Sequence, residues 1–167
     1  MNKESVSSLS RLFEQFMNGS AGLITADRSI FSKDINVLRY KELQRRVRKD
    51  LNLGYTPVNG IYWYRDEVTH EKKYQVFENS LWIPNIKDSD LRNLCFIDIP
   101  KDEYSIEDKT QQSYVYGENG KSWLKTPDGA IWGEGEQFRT QVNTKEDDYS
   151  EWKGRPFQLG KKKINMR

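Results

Sequence analysis

The chain has 167 residues, 35% of them hydrophobic, 13% aromatic and 31% charged, and a formal net charge of +2. That length suits one domain whose core rests on few, large side chains. The near balance of charge excludes a global polyanion-binding signature, and one cysteine (Cys95) with one histidine (His70) excludes an intrachain disulfide or a Cys/His zinc site within the chain.

In chain order, residues 3–18 predict a first helix, with Val6, Leu9, Phe13 and Phe16 at helical spacing and Asn18-Gly19 as its stop. Ala21 to Ala26 reads as a short apolar strand. Asp34 is the expected N-cap of a second helix of about five turns. Its apolar stripe is Tyr40, Leu43, Val47 and Leu51, and Gly54 stands where a C-terminal cap is expected. Val58–Tyr64 and Tyr74–Ile83, rich in β-branched and aromatic residues, flank RDEVTHEKK and predict a long hairpin. Ser89–Leu94 reads as a helical turn leading into a strand, Leu94–Ile99, in which Cys95 is a buried thiol. Residues 100–112 read as loop or short helix.

SYVYGENGKSWLKTPDGAIWG carries Asn119-Gly120 and Asp128-Gly129, pairs that tolerate the positive φ of tight turns, and predicts a three-stranded meander. From Glu134 the pattern weakens. The expected fold class is α+β: two main helices packed on a predominantly antiparallel sheet, as one domain over 1–133, with 134–167 an extended, partly mobile C-terminal arm. No apolar run approaches the ~20 residues of a membrane span, and the N-terminus lacks a signal-peptide apolar core. The expectation is a soluble cytoplasmic chain without a membrane partner.

The apolar strand ending in Thr25-Ala26, the polar loop after it, and Asn36, Arg39 and Leu43 as Asn-x-x-Arg-x-x-x-Leu resemble an uncharacterised family of small bacterial and phage proteins. Glu78-Asn79-Ser80 and Gln112-Ser113 extend the resemblance, which covers roughly residues 20–126. The chain departs from it at Asp27-Arg28 and in its long tail. The resemblance implies a fold and a site, without an assigned reaction, and a host cytoplasm if the chain is phage-encoded.

Asn36 and Arg39 stand one turn apart near a helix N-terminus, where free N–H groups favour anions, and an arginine there can pair bidentately with a carboxylate such as Glu78. Two readings follow. In one, Arg39, Glu78 and Asn36 form a buried network that fixes helix against sheet. In the other, Thr25, Asn36, Arg39, Glu78 and Gln112 bind a small anionic or amide ligand. Lys41, Arg45, Arg48 and Lys49 form a basic stripe on the second helix, either a solvated face or, with Lys161–Lys163, a phosphate-contacting or acidic-partner surface. Tyr62 and Tyr64 could add stacking on a partner or be core. Glu134, Glu136, Asp147 and Asp148 read as solvating charge rather than a metal site.

His70 falls on a charged hairpin tip with no nucleophile motif beside it, and neither G-x-x-x-x-G-K-[ST] nor G-x-G-x-x-G occurs. The leading expectation is therefore a noncatalytic binding protein without cofactor or metal; the family resemblance implies a phage-type accessory or inhibitory (counter-defence) factor acting on a host protein. The alternative is a small ligand-binding domain or enzyme for a phosphorylated or nucleotide-like molecule. A third is nonspecific nucleic-acid binding.

Overall fold

Short strands joined by tight turns pair with their neighbours in sequence, and such hairpins make half of the pairings in the sheet. The computed structural model describes residues 3–28, 31–97 and 113–159, with side chains from Leu9 onward. The expected loop 100–112, with the candidate Gln112, and the lysines 161–163 lie outside the described residues.

The elements are α1 (Lys3–Asn18), β1 (Ser20–Thr25), α2 (Lys33–Arg45, continuing as a π turn over Arg46–Asp50), β2 (Thr56–Arg65), β3 (Lys72–Pro84) and α3 (Asp88–Asn93). Then come β4 (Tyr114–Glu118), β5 (Lys121–Lys125), β6 (Ile131–Gly135), β7 (Phe138–Arg139), β8 (Tyr149–Trp152) and β9 (Arg155–Leu159). The described residues thus mix helix and strand, with the sheet dominant. Its order is β6-β5-β4-β1-β3-β2-β8-β9-β7, and every pair is antiparallel.

The sheet curls. Its edge strands β6 and β7 are separated in sequence only by Glu136 and Gln137. Side chains alternate between two faces along each strand. On β3, Leu81 and Ile83 face outward into a core with Ile24, Leu43 and Val47 of α2, Leu91 of α3, and Leu94, Cys95 and Ile97 after it. Trp82 faces inward with Ala21, Val58, Trp152 and Phe157, and this inner cluster is closed by Leu12 and Phe16 of α1. Phe138 stacks on Phe157 at 5.3 Å and meets Trp82 edge-on at 6.2 Å, and Trp82 Nε1 donates to Gln15 Oε1 at 2.8 Å. The first helix therefore plugs one end of an open barrel.

Glycines make both approaches possible. A Cβ on Gly22 would lie 2.6 Å from Leu91 Cδ2 outside the sheet, and one on Gly117 would lie 2.7 Å from Phe16 Cδ1 inside it.

Several expectations are corrected. The buried stripe of α1 runs through Leu12 and Phe16, while Phe13 is partly exposed and meets Phe138 edge-on. The N-cap of α2 is Ser32, whose Oγ accepts from Ile35 N at 3.2 Å, and Asp34 sits in the first turn. At the other end Leu51 N reaches back five residues to Arg46 O at 3.1 Å, and the positive φ of 53° falls on Asn52 rather than Gly54. Leu94–Ile97 is no strand: the amides of Leu94, Cys95 and Phe96 bond three or four residues back, and the apolar side chains fill the outer core without a ladder.

The expected arm from residue 134 carries, as far as Leu159, the end of β6 and the strands β7, β8 and β9. Lys153 and Gly154 take φ values of 48° and 80°, the same pair of positive dihedrals as Asn119 (52°) and Gly120 (85°), and turn β8 into β9. Trp152 and Phe157 then enter the inner core.

Candidate functional site

Opposite the α1 plug, the inner face of the barrel is hollow. A cavity of about 250 Å³ opens there, and every strand but β7 contributes to its lining. The alternation decides what it presents. Leu23, Val115, Leu124 and Leu159 form apolar wall, and Tyr62, Glu78, Ser80, Ser122, Ser150 and Asp148 form polar wall. Antiparallel register sets these groups beside one another: Gly60 stands opposite both Glu78 and Ser150, and Ser80 opposite both Thr25 and Val58.

Ser80, Ser122 and Ser150 are only 4%, 3% and 8% exposed, yet none of their hydroxyls hydrogen-bonds another described residue. Buried hydroxyls that keep no protein partner in a cavity wall are groups held ready for water or a ligand. Burial pushes the Glu78 carboxyl up to about 7, helped by the negative charge of Asp27 and partly offset by Arg28. Burial, with the Glu78 charge second, pushes the Tyr62 phenol up to about 12. No described residue donates a hydrogen bond to the Glu78 carboxylate.

The loop after β1 forms the rim. Thr25 Oγ1 donates to Asn79 O at 2.6 Å and accepts from Asp27 N at 3.0 Å, while Asp27 Oδ2 accepts from Asn79 N at 2.8 Å. Side chains thereby prolong the β1–β3 ladder by one step. Burial raises the Asp27 carboxyl from its ordinary value, against the Asn79 amide and the Arg39 charge. Asn36 clasps the same loop from α2: its Oδ1 accepts from Arg28 N at 3.0 Å and its Nδ2 donates to Arg28 O at 2.9 Å.

Arg39 is 0% exposed. Its Nε donates to Ala26 O at 2.8 Å, its Nη1 to Ile97 O at 3.5 Å, and its guanidinium lies 4.6 Å from the centre of the Phe31 ring. The pair singled out in the sequence therefore braces the loop from the outer side of the sheet, whereas Glu78 faces the cavity. It is Arg28, not Arg39, whose charge bears on Glu78. Thr25 lies in the lining, but its hydroxyl is committed to Asn79 and Asp27.

On the basic stripe, Arg45 pairs with Glu42 at 2.8 Å and Asp50 at 3.4 Å, and Arg48 stacks 4.8 Å from the centre of the Tyr55 ring. Lys41 and Lys49 are exposed. Tyr64 is exposed and stacks on Tyr74 at 5.0 Å, far along the β2–β3 hairpin from Tyr62 in the cavity wall. His70 sits at the tip of that hairpin with a positive φ of 62°. Among the described residues no group of three His, Cys, Asp or Glu side chains could hold a metal ion, and no described helix is long and apolar enough to cross a membrane.

No protein-family model, curated protein or solved structure matches this chain.

Sequence reasoning named Ser80 only within the resembling motif, read Asp148 as solvating charge, and did not single out Ser122, Ser150 or Gln158, which also line the cavity. One signal was available: in the expected strand a period of two puts Glu78 and Ser80 on the face opposite Leu81 and Ile83. For Ser122, Ser150 and Gln158 no local pattern distinguishes a cavity wall from an exposed face.

Proposed function

We propose that the chain is a noncatalytic ligand-binding barrel that holds one small molecule in the hollow opposite the α1 plug. The observation that carries this reading is the open cavity of about 250 Å³, lined by apolar and polar side chains together, in which the Ser80, Ser122 and Ser150 hydroxyls and the Glu78 carboxylate make no hydrogen bond to another described residue. An apolar cavity of about 150 Å³ suffices for benzene, so this one has room for a ring and a short polar arm. In this reading α1 and α2 are the two main helices on one sheet, α1 as the floor and α2 as the brace of the rim. A phosphorylated or nucleotide-like ligand is disfavoured, because the lining includes Glu78, Glu134 and Asp148 and no Lys or Arg among the described residues.

The test is a thermal-shift screen of a metabolite library against the chain and against Ser122→Phe, whose ring fills the hollow. Ligands that stabilise the chain but not the filled variant support the reading. A blank screen, or hits that persist in the variant, overturns it.

A second reading rests on a different observation. β2 pairs with β8 only at Asn59–Ile61, so the hairpin projects beyond the sheet with Tyr64, Val68, Tyr74 and Phe77 exposed. Exposed aromatics on a projecting arm suit a protein partner, and the resemblance to small phage proteins motivates an accessory or inhibitory factor acting on a host protein. In that case a host protein co-purifies with the chain and is lost with Tyr74→Ser combined with Phe77→Ser.

A further inference from the structure

We propose that the cavity selects a small amine: its protonated nitrogen sits among Glu78, Asp148 and the inner serines, and its apolar body lies against Leu23, Val115, Leu124 and Leu159. This rests on the ligand-binding reading and names its ligand class. The lining mixes four branched apolar side chains with carboxylates and has no cationic side chain among the described residues. A ligand anion entering it would face Glu78 and Asp148 with no cation in the wall to answer its charge, whereas an ammonium group brings three donors to acceptors that have room for them.

The surroundings of Glu78 are consistent with that assignment. Asp27 and Arg28 act on Glu78 from the rim after β1, while Asp148, in the segment before β8, bears together with Glu78 on the Tyr62 phenol. Two cations bear on the three carboxylates, Arg28 on Glu78 and Arg39 on Asp27 from the outer side, and neither lines the cavity. Arg28 belongs to the rim, where Asn36 fixes its backbone on both sides. Asp148 is oriented by Trp63 N, which donates to its Oδ1 at 2.9 Å. Gly60 supplies the clearance, because a Cβ there would stand 3.2 Å from Ser80 Oγ and 3.6 Å from Glu78 Oε1, narrowing the space between them. Ser80, Ser122 and Ser150 add hydroxyls that accept as well as donate, so they suit the donors of an ammonium without demanding an anion.

The experiment is calorimetric titration of the full chain at pH 8 with 2-phenylethylamine, 2-phenylethanol and phenylacetate, which share one ring and differ in the charge of a short arm. The expected order is amine tightest, alcohol at least tenfold weaker and phenylacetate without measurable binding. Glu78→Gln, close in shape to the native side chain, should weaken the amine at least tenfold and the alcohol by much less. Asp148→Asn, which keeps the acceptor for Trp63, should weaken the amine in the same direction. Cooperative thermal unfolding of both variants serves as the control for folding. The amine assignment is overturned if phenylacetate binds as well as the amine, if Glu78→Gln leaves amine affinity unchanged, or if only the alcohol binds; that last result leaves the ligand-binding reading standing. Absence of binding by all three probes, together with a blank metabolite screen, overturns both.

Discussion

Phe16 of α1 occupies the space where Gly117 of β4 has no side chain. A Cβ on that glycine would lie 2.7 Å from Phe16 Cδ1 and 2.8 Å from Cε1, closer than packed carbons approach. The end of the barrel is therefore sealed by an aromatic ring lying on bare backbone. Gly117 also pairs with Ala21 on one side and Ser122 on the other, so it cannot move without disturbing two ladders. Gly117→Ala should destabilise the chain by about 1–3 kcal/mol through overpacking. Urea unfolding measures it, and a variant of unchanged midpoint would show that α1 is not seated there.

Arg39 is a brace. Its guanidinium serves carbonyls before and after the outer core and faces an aromatic ring, with no exposure to water. Arg39→Ala strands those buried acceptors and should cost about 2–4 kcal/mol. Arg39→Lys should recover little, since an ammonium cannot reproduce the planar fork. Thermal unfolding checks both. Full stability in Arg39→Ala with loss of ligand binding would move the residue from scaffold to site.

Glu78 makes stability depend on pH. Its carboxyl is raised in the folded chain to about 7 from an ordinary 4.5. The folded state therefore binds the proton more tightly than the unfolded one, and stability falls as pH rises from about 4.5 through about 7. The full shift corresponds to ~3 kcal/mol, and water at the open mouth reduces this to about 1–2. Glu78→Gln should match the native chain at pH 4.5 and exceed its stability at pH 8, as read by urea midpoints at the two pH values. Equal midpoints at pH 8 would mean that the carboxylate is better solvated than the geometry indicates.

Phe157 tests the last hairpin. It is fully buried, stacked on Phe138 and edge-on to Trp82 at 5.8 Å. Phe157→Ala should cost about 3–5 kcal/mol, the range for a fully packed aromatic. A loss below ~1 kcal/mol would show that β8 and β9 are peripheral to folding.

Much of the fold was legible because local chemistry repeats itself. Asn119-Gly120 set a turn that only positive φ permits, and the β2–β3 hairpin declared itself by β-branched and aromatic runs on either side of RDEVTHEKK. Leu43 and Val47 marked the buried side of α2 by their spacing alone. The final hairpin stayed hidden because Lys153-Gly154 is a weaker turn signal than Asn-Gly, and because its strands carry only Trp152 and Phe157 as large buried side chains. Leu94–Ile97 misled for the opposite reason: an apolar run fills a core equally well without a ladder.

What the sequence determined by itself is whatever depends on neighbours within one turn or one strand: helix faces, hairpin turns, and the strand period of two that sets Glu78, Ser80 and Trp82 on the side opposite Leu81 and Ile83. Only the tertiary structure decided which side of the curled sheet would be filled by aromatics and which left hollow. That outcome depends on β1, β2, β3, β4, β5, β6, β8 and β9 meeting at one place, and on α1 reaching one end of the barrel and not the other. It also separated Arg39 from Glu78, since helix and strand spacing fix the side of its own element on which each residue lies, while the curl of the sheet sets those sides apart.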